Sequence, residues 1–79
     1  MREVKEGQIY RHFKGHKYKV LCIGKDSETL NKVVIYKNID NNEIWVRPLD
    51  MFSSLVDKNK YPDVKQKYRF EIVEDVQRI

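Results

Sequence analysis

The chain has a single cysteine, Cys22, two prolines, three glycines and two histidines in 79 residues. One cysteine leaves no internal disulfide and argues against a stapled, secreted scaffold. No stretch approaches the roughly 18 consecutive apolar residues of a membrane span, and Met1-Arg2-Glu3-Val4-Lys5-Glu6 lacks the apolar run of a signal peptide. A cytoplasmic protein with no membrane partner is the expectation. His12 and His16 are four apart, but across a turn signal and not along a helix face, so no metal is expected. Gly7, Gly15 and Gly24 do not form a phosphate loop opening a helix, and no cofactor is expected. There is also no glycine-flanked serine of the nucleophile-elbow kind.

What is present suits a small folded domain. Hydrophobic residues make up 41% of the chain, and nine aromatics among them argue against disorder despite a charged fraction of 35%. Residues 1–79 are read as one domain with one modest core. The net charge of +4 is unevenly spread. Residues 8–25 hold Arg11, Lys14, Lys17, Lys19 and Lys25 with no acid, whereas residues 71–79 hold Glu71, Glu74 and Asp75 against Arg78. A basic patch of this kind attracts phosphates or acidic surfaces, or simply keeps a strand edge soluble.

Alternation and turn chemistry predict five antiparallel strands near residues 8–13, 17–23, 32–38, 43–47 and 68–73. The first two form a hairpin about Lys14-Gly15-His16. Gly24 marks a bend or bulge, and Asp40-Asn41-Asn42 a turn. Pro48 ends the fourth strand, after which Asp50 caps a single helical turn, with Met51 stacked over Leu55 and Phe52 over Val56. The fold class expected is mainly β: a small, partly open five-stranded antiparallel barrel, SH3-like, with one short helical turn. Ile9, Phe13, Leu21, Ile35, Ile44 and Val46 are expected in its core, with Cys22 buried and slow to react.

If that face is the core, Tyr10, His12, Trp45 and Arg47 point the other way, with Tyr36 beside them. Aromatic rings next to an Arg plane make a stacking platform for a base. The alternative is a smaller second core in which the rings pack under residues 49–56. Ser27-Glu28-Thr29 adds hydroxyls next to a carboxylate, yet nothing in the pattern fixes His12 against an acid, so a catalytic reading is weak.

The stretches Tyr10-Arg11-His12-Phe13-Lys14-Gly15, Ser27-Glu28-Thr29, Val34-x-Tyr36, Trp45-Val46-Arg47-Pro48 with Met51-Phe52, and Tyr68-Arg69-Phe70 together resemble a small bacterial family known only as a domain of unknown function. The resemblance spans about residues 7–70. Family members often carry a histidine before Ser-Glu-Thr, where this chain has Asp26. The resemblance implies a mainly β, bacterial, cytosolic domain and carries over no activity. It raises the interest of Arg11, His12, Glu28 and Arg47.

Together these readings predict a non-catalytic binding module for a nucleotide or nucleic acid. Its site would use Tyr10, Arg11, His12, Lys14, Ser27, Glu28, Thr29, Trp45 and Arg47. The alternative is a protein-interaction or homodimerisation module, with a small hydrolase using His12 and Glu28 a distant third.

Overall fold

The computed structural model describes residues 3–75. Five strands, β1 (Ile9–His12), β2 (Lys17–Lys25), β3 (Lys32–Asn38), β4 (Ile44–Pro48) and β5 (Phe70–Glu74), form one antiparallel sheet in the order β4-β3-β2-β1-β5. A single helical turn, α1 (Leu49–Phe52), follows β4. The sheet is open, with β4 and β5 at its two edges, so the closure expected of a barrel is not seen.

Local chemistry explains the connections. Gly15 closes the β1–β2 hairpin with φ of 105°, a left-handed value that a Cβ would strain. Its N–H donates to the His12 carbonyl at 2.8 Å. In the β3–β4 turn, the Asn38 side-chain oxygen accepts the Asp40 N–H at 2.8 Å, and Asn42 takes φ of 63°. Pro48 is the last residue of β4 and precedes α1, where its missing N–H costs nothing. Asp50 does not cap that turn from outside. It lies within it, and its carboxylate accepts the Met51 N–H. The turn stops at Phe52, so Met51 does not stack over Leu55, which instead bridges to Tyr68.

The core is on the opposite face from the one alternation suggested. Tyr10, Val20, Val34, Tyr36, Phe52 and Phe70 form the buried cluster, while Ile44 and Val46 are each 62% exposed and Ile9, Phe13, Leu21 and Ile35 are only half-buried. Packing is aromatic. Phe52 stacks on Phe70 with ring centroids 4.1 Å apart, and Tyr10 and Tyr36 meet Phe52 edge-on at 5.2 and 5.3 Å. Edge-to-face contacts add about 0.5–1.5 kcal/mol each beyond area burial. The buried Gln8 closes one end, accepting from the Tyr10 hydroxyl at 2.8 Å and the Lys5 N–H at 2.7 Å, and donating to Asp75 at 2.9 Å.

The register of β2 shows why Cys22 is not buried. Val20 pairs with Tyr36 but Cys22 pairs with Ile35, so Leu21 is an extra residue in a bulge. One extra residue reverses the facing of the rest of the strand, and Cys22 lies exposed on the outer face. The expectation of a slow thiol is therefore replaced: Cys22 should label stoichiometrically in the native protein, at a rate within about tenfold of the unfolded chain. Thiol titration with and without denaturant measures this, and strong native protection would contradict the bulge.

Candidate functional site

Placing β1 with its inner face on the core brings His12 against Phe70, ring centroids 4.9 Å apart, and against Tyr18 at 6.4 Å. Past the end of the strand, Phe13 stacks on His12 at 4.4 Å and meets Tyr61 at 4.8 Å. The Phe13 N–H donates to the Arg69 carbonyl at 3.0 Å, and the Arg69 N–H to the Ser54 carbonyl at 2.8 Å. The segment between α1 and β5 is thereby laid across the end of the hairpin. A cavity of about 310 Å³ opens there, near the lower end of the range for small-ligand sites.

Four cations face this cavity, Lys14, Arg47, Lys60 and Arg69, against one carboxylate, Asp57. Arg47 Nε donates to the Tyr36 hydroxyl at 3.2 Å, and Arg69 Nε to the Ser54 hydroxyl at 3.2 Å. Both guanidiniums are thus anchored through one nitrogen, and among the described residues neither forms an ion pair. Asp57 is engaged in its own turn, where Oδ1 accepts the Asn59 N–H at 3.0 Å. Lys14 and Lys60 sit over the Tyr61 ring, at 5.7 and 5.5 Å from its centroid. The cavity therefore combines aromatic walls with free guanidinium donors.

His12 reports the field inside it. Its pKa is lowered to about 4, first by burial and then by Arg69, Arg47, Lys14 and His16. The imidazole is neutral at pH 7. Its Nδ1 accepts the Lys14 N–H at 3.1 Å, which puts the proton on Nε2 as a donor. Because the folded value lies below the unfolded value near 6.5, the unfolded chain takes up this proton first. The associated stability is fully present above pH 6.5 and lost as pH falls toward 4. Allowing for solvent screening at this half-open site, the loss should be about 1–2 kcal/mol. Denaturation midpoints from pH 7.5 to 4.5 should fall more steeply for the native chain than for His12→Gln, and equal slopes would contradict the assignment.

The structure brings together His12, Lys14 and Arg47 of the residues singled out from sequence and separates the others. Tyr10 is in the core, and its hydroxyl is bonded to Gln8. Trp45 sits at the β4 edge, 48% exposed, and does not line the cavity. Arg11 is on the outer face across from Glu71 and close to Gln66. Lys17, Lys19 and Lys37 share that face through the pairs Arg11–Lys17 and Lys19–Lys37, whereas Lys25 pairs with Lys32 at the far end. The basic hairpin is thus split between two faces, and only Lys14 reaches the cavity.

Ser27, Glu28 and Thr29 lie in the β2–β3 loop, at the end of the sheet opposite the Lys14–Gly15 turn. There Asp26 organises the loop. Its carboxylate accepts the Glu28 and Thr29 N–H groups at 2.8 and 3.2 Å, and these bonds hold its pKa below the ordinary value. A wider depression of about 420 Å³ lies at this end, lined by Asn31, Lys32, Leu49, Asp50 and Ser53, with one cation beside one carboxylate and no aromatic ring.

Sequence patterning did not mark Arg69, Lys60, Tyr61 and Phe13 as site residues. Arg69 carried a signal, being the polar member of Tyr68-Arg69-Phe70. Lys60 and Tyr61 fall in an irregular connection with no periodicity to read.

Fold and cavity together define a small single-sheet β domain with a cationic, aromatic-walled pocket at one end of its inner face. The chain belongs to the family described as "Protein of unknown function (DUF1653)", whose model matches residues 8–72. Comparison with curated proteins and with solved structures finds no match. Among the described residues no group of side chains could hold a metal ion, and no helix is long and apolar enough to cross a membrane.

Proposed function

We propose that this domain is a non-catalytic module that binds a phosphate-bearing ligand with an aromatic base, a nucleotide or the end of a nucleic-acid strand. The observation that carries this reading is the pair Arg47 and Arg69, each anchored through Nε and free of carboxylates, facing a cavity walled by Phe13 and Tyr61. Guanidinium forks suit phosphate oxygens, and a base stacks on tyrosine or phenylalanine at about 1–3 kcal/mol each. The neutral His12 would donate from Nε2 to a ligand oxygen. With Nδ1 occupied by the Lys14 N–H, the neutral imidazole presents a donor and not a base toward the cavity, which suits binding better than proton abstraction.

The strand order β4-β3-β2-β1-β5 fits an SH3-like barrel parted between β4 and β5, with the cavity at one end. A bacterial, cytoplasmic setting belongs to the same reading.

The test is titration of the protein with the four ribonucleoside monophosphates, inorganic phosphate and short single-stranded RNA and DNA, followed by NMR. Shifts at His12, Tyr61 and Arg69 at millimolar ligand or tighter are expected. For the oligomers, two to four phosphate contacts predict a slope of log affinity against log salt of about −1.5 to −3. Lys17→Ala and Lys19→Ala, on the outer face, should leave that slope nearly unchanged. Lys14→Ala should reduce it. No perturbation by any of these ligands at low salt would end this reading.

A further inference from the structure

An exposed apolar strip lies on the outer face of the sheet at the β4 edge, the face opposite the one that carries the cationic pocket. Ile44 and Val46 project from the outer face, each 62% exposed, and are continuous with Ile35 and Cys22 through the pairs Ile35–Val46 and Cys22–Ile35. Trp45 lies between them on the other face, 48% exposed. The main chain of this strand is also free on one side. The ladder with β3 begins at the Asn38 N–H and the Glu43 carbonyl, 2.9 Å apart. Alternation then directs the Trp45 and Arg47 groups toward β3, and leaves those of Ile44 and Val46 facing away from the sheet. Natural edge strands are protected by lysine, proline or a covering segment. Here Arg47 and Pro48, both at one end of the strand, play that part, and no backbone partner for Ile44 or Val46 beyond β3 is found among the described residues.

We infer that β4 is a self-pairing edge: two copies of this chain join their β4 strands antiparallel about a twofold axis at Trp45, forming one ten-stranded sheet. The occupant is a second copy because the strand is complementary to itself in that register. Ile44 and Val46 are equidistant from Trp45, so each meets the other across the axis and the apolar outer face becomes continuous. Glu43 and Arg47 are equally spaced two residues out on the opposite side, so no like charges meet across the axis, and Arg47 keeps its Tyr36 anchor within its own chain. Shifting the axis to Val46 would place Pro48, which has no N–H, opposite Ile44 and forfeit a hydrogen bond. A shift to Ile44 would oppose Val46 to the turn residue Asn42, at φ of 63°. One register is favoured, and a twofold pair closes without leaving a β4 edge for further growth.

Sedimentation equilibrium should show a concentration-dependent dimer, with Val46→Lys raising its dissociation constant at least tenfold, while thermal stability at low concentration is unchanged because that side chain is solvent-facing. Register is tested by disulfide trapping in a Cys22→Ser background. At a non-hydrogen-bonded antiparallel pair the Cα atoms are about 4.5 Å apart, within disulfide range. Trp45→Cys should therefore crosslink under mild oxidation at least tenfold faster than Ile44→Cys, whose two copies are offset along the strand. A chain that stays monomeric at millimolar concentration, or equal crosslinking of the two variants, would overturn the inference. Neither measurement involves an anion, so its outcome is separate from that of the phosphate pocket.

Discussion

Replacing Arg47 and Arg69 together by alanine should weaken binding of a nucleotide or oligonucleotide end by about a hundredfold or more, with each single variant losing about ten- to a hundredfold. The magnitude comes from charge-assisted hydrogen bonds, worth about 1.5–3 kcal/mol each when both partners are partly desolvated. Each guanidinium keeps one nitrogen on a neutral anchor, the Tyr36 or the Ser54 hydroxyl, and is thereby held with its remaining donors free. A lysine at either position keeps the charge but not the fork, so Arg47→Lys and Arg69→Lys should recover only part of the loss. Trp45→Phe should be nearly silent, since Trp45 does not line the cavity.

A second readout separates a site effect from damage to the fold. Arg69 and Arg47 are, after burial, the two largest causes holding His12 near a pKa of 4. In the double variant His12 should titrate closer to 6.5, visible in its imidazole NMR signals, with the rest of the spectrum preserved. Unchanged affinity in a folded double variant would remove the pocket as the binding site.

Phe52→Ala should cost about 3–5 kcal/mol, a large part of the roughly 4–12 kcal/mol that a chain of this length holds. Phe52 is 1% exposed and touches the rest of the core through its ring, stacked on Phe70 and edge-on to Tyr10 and Tyr36. It comes from the helical turn, not the sheet. Removing it opens a cavity in the middle of the aromatic cluster, which the sheet cannot fill from its own strands. Ile44→Thr should change stability by no more than about 0.5 kcal/mol, because its side chain is exposed. Urea unfolding of both variants tests which face of the sheet is the core. The reverse ranking would mean that the core lies where simple alternation put it.

That contrast shows what alternation could carry. β3 begins and ends where Lys32-Val33-Val34-Ile35-Tyr36-Lys37-Asn38 suggests, and the hairpin turns on Gly15 as its φ of 105° demands. β2 runs two residues past the expected end and β5 begins two later, since pairing with β3 and β1 sets those ends. The choice of face was not legible in the same way. In β3 and β4 apolar residues occupy both parities, Val33 and Ile35 against Val34 and Tyr36, Ile44 and Val46 against Trp45, so a period of two is satisfied equally by either assignment.

The same division holds for the site. His12, Lys14 and Arg47 stood out as polar residues that packing does not need, and the cavity does gather those three. Their companions Lys60, Tyr61 and Arg69 arrive from a connection whose course is determined by the Arg69–Ser54 and Phe13–Arg69 backbone bonds, both long-range.

Strand order along the chain, turn positions and the single helical turn were determined by the sequence alone, because they rest on local sterics and on side-chain periodicity over a few residues. Only the tertiary structure decided which face is inside, because that depends on where Phe52, Val56 and Phe70 deliver their rings and methyls from distant segments. The bulge at Leu21 is likewise a property of two paired strands and not of one, and it is what turns Cys22 outward.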